Sequence, residues 1–288
     1  MISECLSGVK RKNGSPPRPR YALGRGGLGG GRFAPAWGAE VVSSNIVGYQ
    51  KVTLQPGFNL IGVGFVKVGT GGDYALKDLF QGTDITSAKA GSGADNGDLI
   101  QLFDAGEQTY VRQYFFYTSN GEYPEYDNKW YDVFDDEEPT EDVIENSEGT
   151  GFWYQYRGTG TPQLTTAGEV SKESIEITIK PGFNCIVYPF PADFDFTKLD
   201  WKAAGATPGS GADNGDLIQV FDAEEQTYTT QYFFYTSGGE YPEYDNKWYD
   251  VFDDEEPTEA TIPAGSGFWY QHRGNSTFTI TLPSPIAD

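Results

Sequence analysis

Hydrophobic and polar residues alternate over many short segments of this chain. In SIEITIK, the residues Ile175, Ile177 and Ile179 alternate with polar neighbours, which is the pattern of a half-buried β-strand. DLIQLFD, QTYVRQYFFYT and KWYDVFD are rich in β-branched and aromatic residues and are separated by turn residues, so each predicts a further strand. Only ALKDLF and TKLDWKA predict a single helical turn each.

The same pattern occurs twice along the sequence. Residues 91–140 and 209–258 are identical at all but five of fifty positions. The five differing pairs are Leu102/Val220, Gly106/Glu224, Val111/Thr229, Arg112/Thr230 and Asn120/Gly238. A repeat of this length predicts two copies of one module, at about 40–170 and 171–288, joined by a short linker. Seven extra residues ahead of GSGADNGD in the first copy predict a surface loop.

The number of strands predicts the fold class. With about six to eight short strands per module, we expect an all-β protein: two tandem antiparallel β-sandwich or barrel-like modules related by internal duplication. No apolar run is long enough for a transmembrane helix. Cys5 and Cys185 are the only cysteines, so no disulfide framework is expected. Cys185 stands where the first copy has Leu60, which predicts a small buried hydrophobic residue.

Charge is distributed unevenly along the sequence. The formal net charge is -22, but residues 1–39 carry +6, so the remainder carries -28. Such an acidic surface repels nucleic acid and anionic membranes and suits cations, neutral polymers or basic partners, although solubility alone would also explain it. Residues 1–39 are either a disordered basic Gly/Pro-rich arm or the remnant of a mis-called signal region. We favour the second, because FAPAWGAE (33–40) has the small-x-small pattern of a secretory cleavage site.

Several motifs follow in the same order in both copies. Each copy opens with a GFN segment, continues with DLIQ, WYD and GFWY segments, and ends in a Thr-containing strand; the second copy closes with IPAGSGFWY. Over 46–170 and 174–282, this order resembles a tandem β-rich repeat module of secreted and cell-surface bacterial proteins. The resemblance implies an extracellular β-rich unit and names no activity, because the function of such modules is largely uncharacterised. The first copy departs from the closing motif with VIENSEGTGFWY.

A first candidate site is the segment GADNGD, which occurs at 93–98 and 211–216. Its oxygen-bearing side chains are Asp95, Asn96, Asp98, Asp213, Asn214 and Asp216. Calcium prefers such hard oxygen ligands, so a calcium site is one interpretation, although the spacing is not that of an EF-hand. The alternative is an Asx-rich turn whose side chains cap their own backbone.

A second candidate site is EYPEYDNKWYDVFDDEEPTE, at 122–141 and 240–259, where aromatic rings alternate with carboxylates. The predicted ligand-binding residues are Tyr123, Tyr126, Trp130, Tyr131, Tyr241, Tyr244, Trp248 and Tyr249. Exposed rings would stack on the apolar faces of sugars while nearby oxygens accept hydrogen bonds from sugar hydroxyls. The alternative places Trp130 and Phe134 in the core and makes DDEEPTE a solvated turn. A recent duplication would preserve either arrangement.

Enzyme signatures are scarce. His272 is the only histidine, and its counterpart in the first copy is Tyr156, so a histidine-based triad in both modules is excluded. We expect His272 on a strand surface. We expect a non-catalytic, secreted or cell-surface protein that binds glycans. Calcium is the candidate cofactor, and polysaccharides or other surface proteins are the candidate partners. The alternatives are a self-assembling surface or filament subunit and a glycosidase with a carboxylate pair.

Overall fold

The computed structural model describes residues 46–65, 73–76, 88–144 and 149–286. The segment 1–39, most of ALKDLF and most of the predicted loop ahead of GSGADNGD lie outside these residues. The described chain is almost entirely β-structure, and the repeat forms two modules, as predicted. The strands of the first module are β1 (Ile46–Thr53), β2 (Gly57–Ile61), β3 (Tyr74–Ala75), β4 (Leu99–Asp104), β5 (Thr109–Tyr117), β6 (Lys129–Asp132), β7 (Val143–Ile144), β8 (Phe152–Tyr156) and β9 (Gln163–Val170).

The second module repeats the arrangement of the first. Its strands are β10 (Ile175–Ile179), β11 (Gly182–Val187), β12 (Leu217–Asp222), β13 (Thr227–Phe234), β14 (Trp248–Asp250), β15 (Gly267–His272) and β16 (Phe278–Leu282). Each module contains an open five-stranded antiparallel sheet, in the order β2-β8-β4-β5-β6 and β11-β15-β12-β13-β14. The first and last strands of each module form a separate two-stranded sheet, β1 with β9 and β10 with β16.

The segment TKLDWKA is helical, as predicted. A 3-10 turn at Phe196–Lys198 precedes a one-turn α-helix, α1 (Trp201–Ala204). The Asp200 carboxylate caps α1 by accepting a hydrogen bond from the Ala203 N–H at 3.0 Å. Gly205 follows at φ 127°, a backbone conformation that favours glycine. No helix in the described parts of the chain is long and apolar enough to cross a membrane.

The core lies on the inner faces of the two five-stranded sheets. Side chains such as Ile100 and Tyr154 of the first sheet and Ile218 and Tyr270 of the second are fully buried in one apolar cluster. The same cluster includes the inner side chains of the two-stranded sheets, for example Leu164 of β9. Because the cluster includes residues from both modules, each module contributes to burying the other, and residues from Ile46 onward form one compact unit.

A second apolar cluster joins the outer faces of the two sheets. The Trp153 ring meets the Phe221 ring edge-on at a centroid distance of 4.7 Å, and the Trp269 ring meets the Phe103 ring in the same way at 4.9 Å. Each pair takes one ring from each module, and the two pairs involve equivalent residues. The contact is therefore reciprocal, like the interface of a two-fold symmetric dimer. Cys185 packs against this cluster, partly buried.

Two glutamine side chains cover the free edges of the sheets. Gln226, in the β12–β13 turn, accepts a hydrogen bond from the Phe58 N–H at 2.7 Å and donates one to the Phe58 carbonyl at 2.9 Å. Gln108, in the β4–β5 turn, makes the same pair of bonds with Phe183 at the same distances. Each amide thus imitates a neighbouring strand and satisfies backbone groups on the edge strand β2 or β11.

Replacing these glutamines is expected to weaken the contact between the modules. Gln108→Ala and Gln226→Ala should each lower the free energy of unfolding by about 1–2 kcal/mol, because each removes hydrogen bonds across the interface. Urea unfolding followed by tryptophan fluorescence measures the change. Glu107→Ala and Glu225→Ala, in the same exposed turns, are the matched controls and should stay within about 0.5 kcal/mol of the parent. Equal effects of the Gln and Glu substitutions would contradict the edge-capping role.

Candidate functional site

The two tyrosine loops (residues 118–128 and 236–246) connect the last two strands of each five-stranded sheet. In the second loop, the Asp245 carboxylate accepts hydrogen bonds from the N–H of Ser237 and from its hydroxyl, the latter at 2.7 Å. The Ser237 oxygen in turn accepts one from the Tyr241 N–H at 2.8 Å. The bond from the Ser237 N–H is the main reason that the pKa of Asp245 lies below its usual range. The loop is therefore held in shape by its own side chains.

The first tyrosine loop has the same internal bonds. Asp127 accepts hydrogen bonds from the N–H and hydroxyl of Ser119 and from the Gly121 N–H at 3.1 Å, and its pKa is lowered for the same reason. The loops differ in sequence at one position, Asn120 in the first and Gly238 in the second. Both residues have a left-handed backbone, at φ 58° and φ 73°. Asparagine tolerates this region better than most residues, so the difference leaves the backbone unchanged.

The eight aromatic residues of the predicted glycan surface divide into two groups. Tyr123 and Tyr241 are 51% exposed, and Tyr126 and Tyr244 are 39% exposed. The other four are buried: Trp130, Tyr131, Trp248 and Tyr249. A continuous exposed face containing all eight residues therefore does not form, and only the four loop tyrosines present their rings to solvent.

The buried group is explained by a strand that is covered on both faces. Trp130 points into the main core, where its ring lies 6.2 Å from the ring of Tyr154. The next residue, Tyr131, points to the opposite face of the sheet and packs with Leu99 and Phe115. Its hydroxyl donates a hydrogen bond to the Tyr126 carbonyl at 3.1 Å, so this buried ring supports the exposed tyrosine loop.

Phe134 and Phe252 are exposed, at 70% and 69%. The core position considered for Phe134 is thus corrected. The Phe134 N–H donates to the Asp132 carboxylate at 2.7 Å, and this turn leads the chain away from the sheet before the side chain can reach the core. The acidic residues that follow, 135–138, are exposed as well, in agreement with a solvated turn.

The two candidate motifs are neighbours in each module. Gly209 forms a parallel bridge with Tyr235, and Gly91 forms the equivalent bridge with Tyr117, which places each GSGADNGD segment beside a tyrosine loop. In the second module, a shallow depression of about 360 Å³ lies where they meet. It is lined by Ser210, Tyr235, Thr236, Ser237, Gly238, Glu240 and Tyr241.

The depression combines an aromatic surface with several oxygen atoms. The rings of Tyr235 and Tyr241 provide apolar area, while the hydroxyls of Ser210 and Thr236 and the carboxylate of Glu240 provide hydrogen-bonding groups. No lining residue is basic, so an anionic ligand would find no partner there. These features fit an uncharged ligand with both an apolar face and hydroxyl groups.

The GADNGD segments form turns closed by their own side chains. Asn214 accepts a hydrogen bond from the Gly211 N–H at 3.1 Å and donates one to the Ser210 hydroxyl oxygen at 3.0 Å. The Arg273 guanidinium donates to the Ala212 carbonyl at 2.9 Å. This is the Asx-turn alternative of the sequence analysis. Because the Ser210 oxygen accepts from Asn214, its O–H is directed elsewhere, and Ser210 lines the depression.

The six predicted calcium ligands do not converge on one point. Asp95 and Asp213 are exposed at the turn. Asn96 and Asn214 cap the turn. Asp98 and Asp216 are fully buried. Within the described ranges, no group of three or more His, Cys, Asp or Glu residues is arranged to hold a metal ion. The structure thus places Asp98 and Asp216 inside the protein rather than in an open oxygen cage.

The buried carboxylates organise the closing strands. Asp98 accepts hydrogen bonds from the Tyr154 hydroxyl at 2.8 Å, from the Arg157 N–H at 2.6 Å and from the Lys89 N–H at 2.9 Å. Burial raises the pKa of Asp98, and these donors counteract part of that effect. Burial also raises the pKa of Tyr154 well above its usual value, so its hydroxyl keeps the proton that it donates. Asp98 is therefore a structural carboxylate.

His272 is buried rather than exposed on a strand surface. Its Nδ1 lies 2.9 Å from the Asp216 carboxylate and its Nε2 lies 3.0 Å from the Ser276 carbonyl, so burial is made possible by partners on both sides. The Asp216 carboxylate and the Ser276 carbonyl each offer an acceptor oxygen to the ring. Asp216 also accepts from the Tyr270 hydroxyl at 2.6 Å. The second module thus has one more side-chain donor to its buried carboxylate than the first.

Sequence reasoning did not identify Ser210 or Ser237 as site residues, whereas Glu240 lies in the predicted segment 240–259. Ser237 had a detectable signal, because serine and aspartate recur eight residues apart in both tyrosine loops. Ser210 had none, since its approach to the loop depends on the bridge between Gly209 and Tyr235, which are distant in sequence.

The extra donor His272 predicts unequal effects of two matched substitutions. Tyr154→Phe removes one of three donors to Asp98 and should cost about 1.5–3 kcal/mol. Tyr270→Phe should cost about 1 kcal/mol less, because His272 still donates to Asp216. Denaturant unfolding of the two variants provides the comparison. An equal cost, or a larger cost for Tyr270→Phe, would show that His272 does not support Asp216.

The lowered pKa values of Asp127 and Asp245 predict how the tyrosine loops respond to pH. A carboxylate with a lowered pKa in the folded protein contributes stability above the usual aspartate range, and that contribution is lost as pH falls through the lowered value. The Ser119 and Ser237 amide resonances should therefore shift with a midpoint below about pH 3.9. NMR titration measures this midpoint. The shift should disappear in Asp127→Asn and Asp245→Asn, and a midpoint above the usual aspartate range would contradict the assignment.

Neither a protein-family model, nor a curated protein, nor a solved structure matches this chain. The two modules serve as comparisons for each other. Their tyrosine loops, Asx turns and buried carboxylates have equivalent hydrogen bonds, so these arrangements belong to the module and not to one copy.

Proposed function

We propose that this protein is a non-catalytic binding protein for neutral glycans, with one binding loop in each module. The observation that carries the proposal is the depression beside the second tyrosine loop, where the exposed Tyr241 and the partly buried Tyr235 border hydroxyl groups and a carboxylate. Sugars present both an apolar ring face and a set of hydroxyls, so aromatic area next to hydrogen-bonding oxygens is the matching chemistry. A secreted or cell-surface location, which the resemblance of the sequence implies, is part of the proposal.

The electrostatics support a neutral ligand. The chain carries a net charge of -22, and Glu240 lines the depression. Acidic glycans, nucleic acids and anionic membranes would all be repelled. Glu240 is the one carboxylate among the lining residues, whereas glycosidases generally use a pair of carboxylates on either side of the scissile bond, so this depression favours binding over hydrolysis.

The loops are suited to binding because they are ordered before a ligand arrives. Asp127 and Asp245 fix the two loops internally, and the buried Tyr131 and Tyr249 donate hydrogen bonds to the loop carbonyls from below. A ligand would therefore lose less affinity to the ordering of the loop than it would on a flexible segment. Two such loops in one compact unit also allow both to engage one long polymer.

The test is binding of the full chain to an array of neutral glycans, with sialylated and sulfated glycans on the same array. Neutral glycans should bind and the anionic ones should not. Tyr123→Ala/Tyr241→Ala should weaken the binding at least about tenfold, because one stacking ring is lost from each loop. Each single variant should have a smaller effect, since the second loop remains.

The matched control is Phe134→Ala/Phe252→Ala. It removes two exposed aromatic rings that lie outside the lining of the depression, and it should leave glycan binding unchanged. Absence of binding to every neutral glycan would refute the proposal, and so would an equal loss of binding in the phenylalanine and tyrosine double variants.

A further inference from the structure

A cleft opens between the two modules, and it shares no lining residue with the tyrosine-loop depression. It has a volume of about 280 Å³ and lies between the β1–β2 region of the first module and the β12–β13 hairpin of the second. The residues that line it are Val52, Thr53, Asn59, Leu60, Ile61, Val220, Phe221, Asp222, Ala223, Thr229, Thr230, Pro263 and Ser266. The volume lies just below the roughly 300–1,000 Å³ that small-molecule sites occupy, which limits an occupant to a small molecule.

The cleft has apolar and hydroxyl-bearing walls. Leu60, Ile61 and Phe221 are among its apolar residues, and four residues with hydroxyl groups line it as well: Thr53, Thr229, Thr230 and Ser266. Asp222 is the one charged lining residue, so the cleft carries a negative charge and no positive one. Such a lining fits a small uncharged molecule that has several hydroxyl groups and an apolar face.

The pseudo-symmetric position between the modules has a different lining. There the first module provides Leu102, Val111 and Arg112 in place of Val220, Thr229 and Thr230. Leu102 is buried in the main core, whereas Val220 is only partly buried. The two threonines of the second module thus correspond to an aliphatic residue and a cationic residue in the first.

The carboxylate at the first-module position has cations near it, whereas the equivalent carboxylate of the cleft has neutral residues in their place. Asp104 has its pKa lowered chiefly by a hydrogen bond from the Glu107 N–H, with further contributions from the charges of Lys180 and Arg112. The equivalent carboxylate in the cleft is Asp222. By sequence offset, Gln55 stands in the place of Lys180 and Thr230 stands in the place of Arg112, so both cations are replaced by neutral residues.

The differences between the two copies are concentrated at the cleft. Of the fifty residues of the second copy, six line it, and three of these six are substituted. The other forty-four contain two substitutions, Glu224 and Gly238. Glu224 follows the lining residue Ala223 directly, and Gly238 lines the depression beside the tyrosine loop. The substitutions between the two near-identical copies therefore lie in or next to the inter-module cleft and the tyrosine-loop depression.

We propose that the inter-module cleft around Val220, Thr229 and Thr230 is a binding site for one uncharged monosaccharide, distinct from the tyrosine loops. The pseudo-symmetric position lacks the threonine pair and carries Arg112, so one chain binds one such molecule there. The site does not depend on glycan binding by the tyrosine loops.

The experiment uses the full chain and five probes: D-glucose, D-galactose, D-mannose, N-acetyl-D-glucosamine and the anionic D-glucuronic acid. At about 10 mM of each probe, a concentration that detects millimolar binders, the Thr229 and Thr230 amide resonances should shift saturably with at least one neutral sugar. They should not shift with D-glucuronic acid, because Asp222 repels its carboxylate.

The chain provides its own control residues. V220L/T229V/T230R installs the side chains of the first module on the same backbone and should weaken binding at least about tenfold. T229V alone changes an exposed residue, so it should preserve the fold, and it should weaken binding because it removes one hydroxyl. The reciprocal L102V/V111T/R112T should create a second site, so that the number of bound sugars per chain rises from one to two.

Independence from the tyrosine loops is tested in the same titration. Tyr123→Ala/Tyr241→Ala should leave the Thr229 and Thr230 shifts unchanged, whatever happens to binding on the glycan array. The proposal is overturned if no neutral sugar shifts these resonances, or if V220L/T229V/T230R binds as tightly as the parent. It is also overturned if the tyrosine substitutions abolish the shifts.

Discussion

The fold depends on the reciprocal contact between its two modules. Trp153 meets Phe221 and Trp269 meets Phe103, so each sheet buries an aromatic ring of the other on its outer face. The edge strands depend on the same contact, because glutamines from the opposite module satisfy their backbone groups. A five-stranded sheet with one such edge and one apolar outer face would expose both in isolation. Pairing two copies removes both exposures at once.

The parts that could be predicted from the sequence are those set by local pattern. Strict alternation at Ile175–Ile179 identifies β10, and Asp200 followed by an apolar turn identifies α1. The pattern at KWYD does not predict which side chains are buried, because alternation distinguishes core from solvent positions only when one face of a strand is exposed to water. Trp130 and Tyr131 point to opposite faces, and both faces are covered. Burial there depends on contacts with distant residues.

The candidate sites show the same division. The loop tyrosines could be predicted to be exposed because proline, glycine and acidic residues surround them. Asp98 and Asp216 could not be placed, since an aspartate in a glycine-rich segment has the same local sequence whether it faces solvent or the core. Their burial depends on donors more than fifty residues away, Arg157 and Arg273, which directly follow β8 and β15. Gln226 was missed for the same reason: its partner, Phe58, lies in the other module.

Identity between the copies says little about function here, because a structural residue such as Asp98 and a loop residue such as Tyr123 are both repeated. The differences are more informative. Tolerance alone would place substitutions on any exposed surface, yet the solvated acidic turns at 135–138 and 253–256 are unchanged. The lining substitutions also share a direction: relative to Leu102, Val111 and Arg112, the second module has a smaller side chain, an added hydroxyl and a lost charge. The three substitutions thus give the second-module cleft a smaller side chain, an additional hydroxyl group and no positive charge, while Asp222 remains its one charged lining residue.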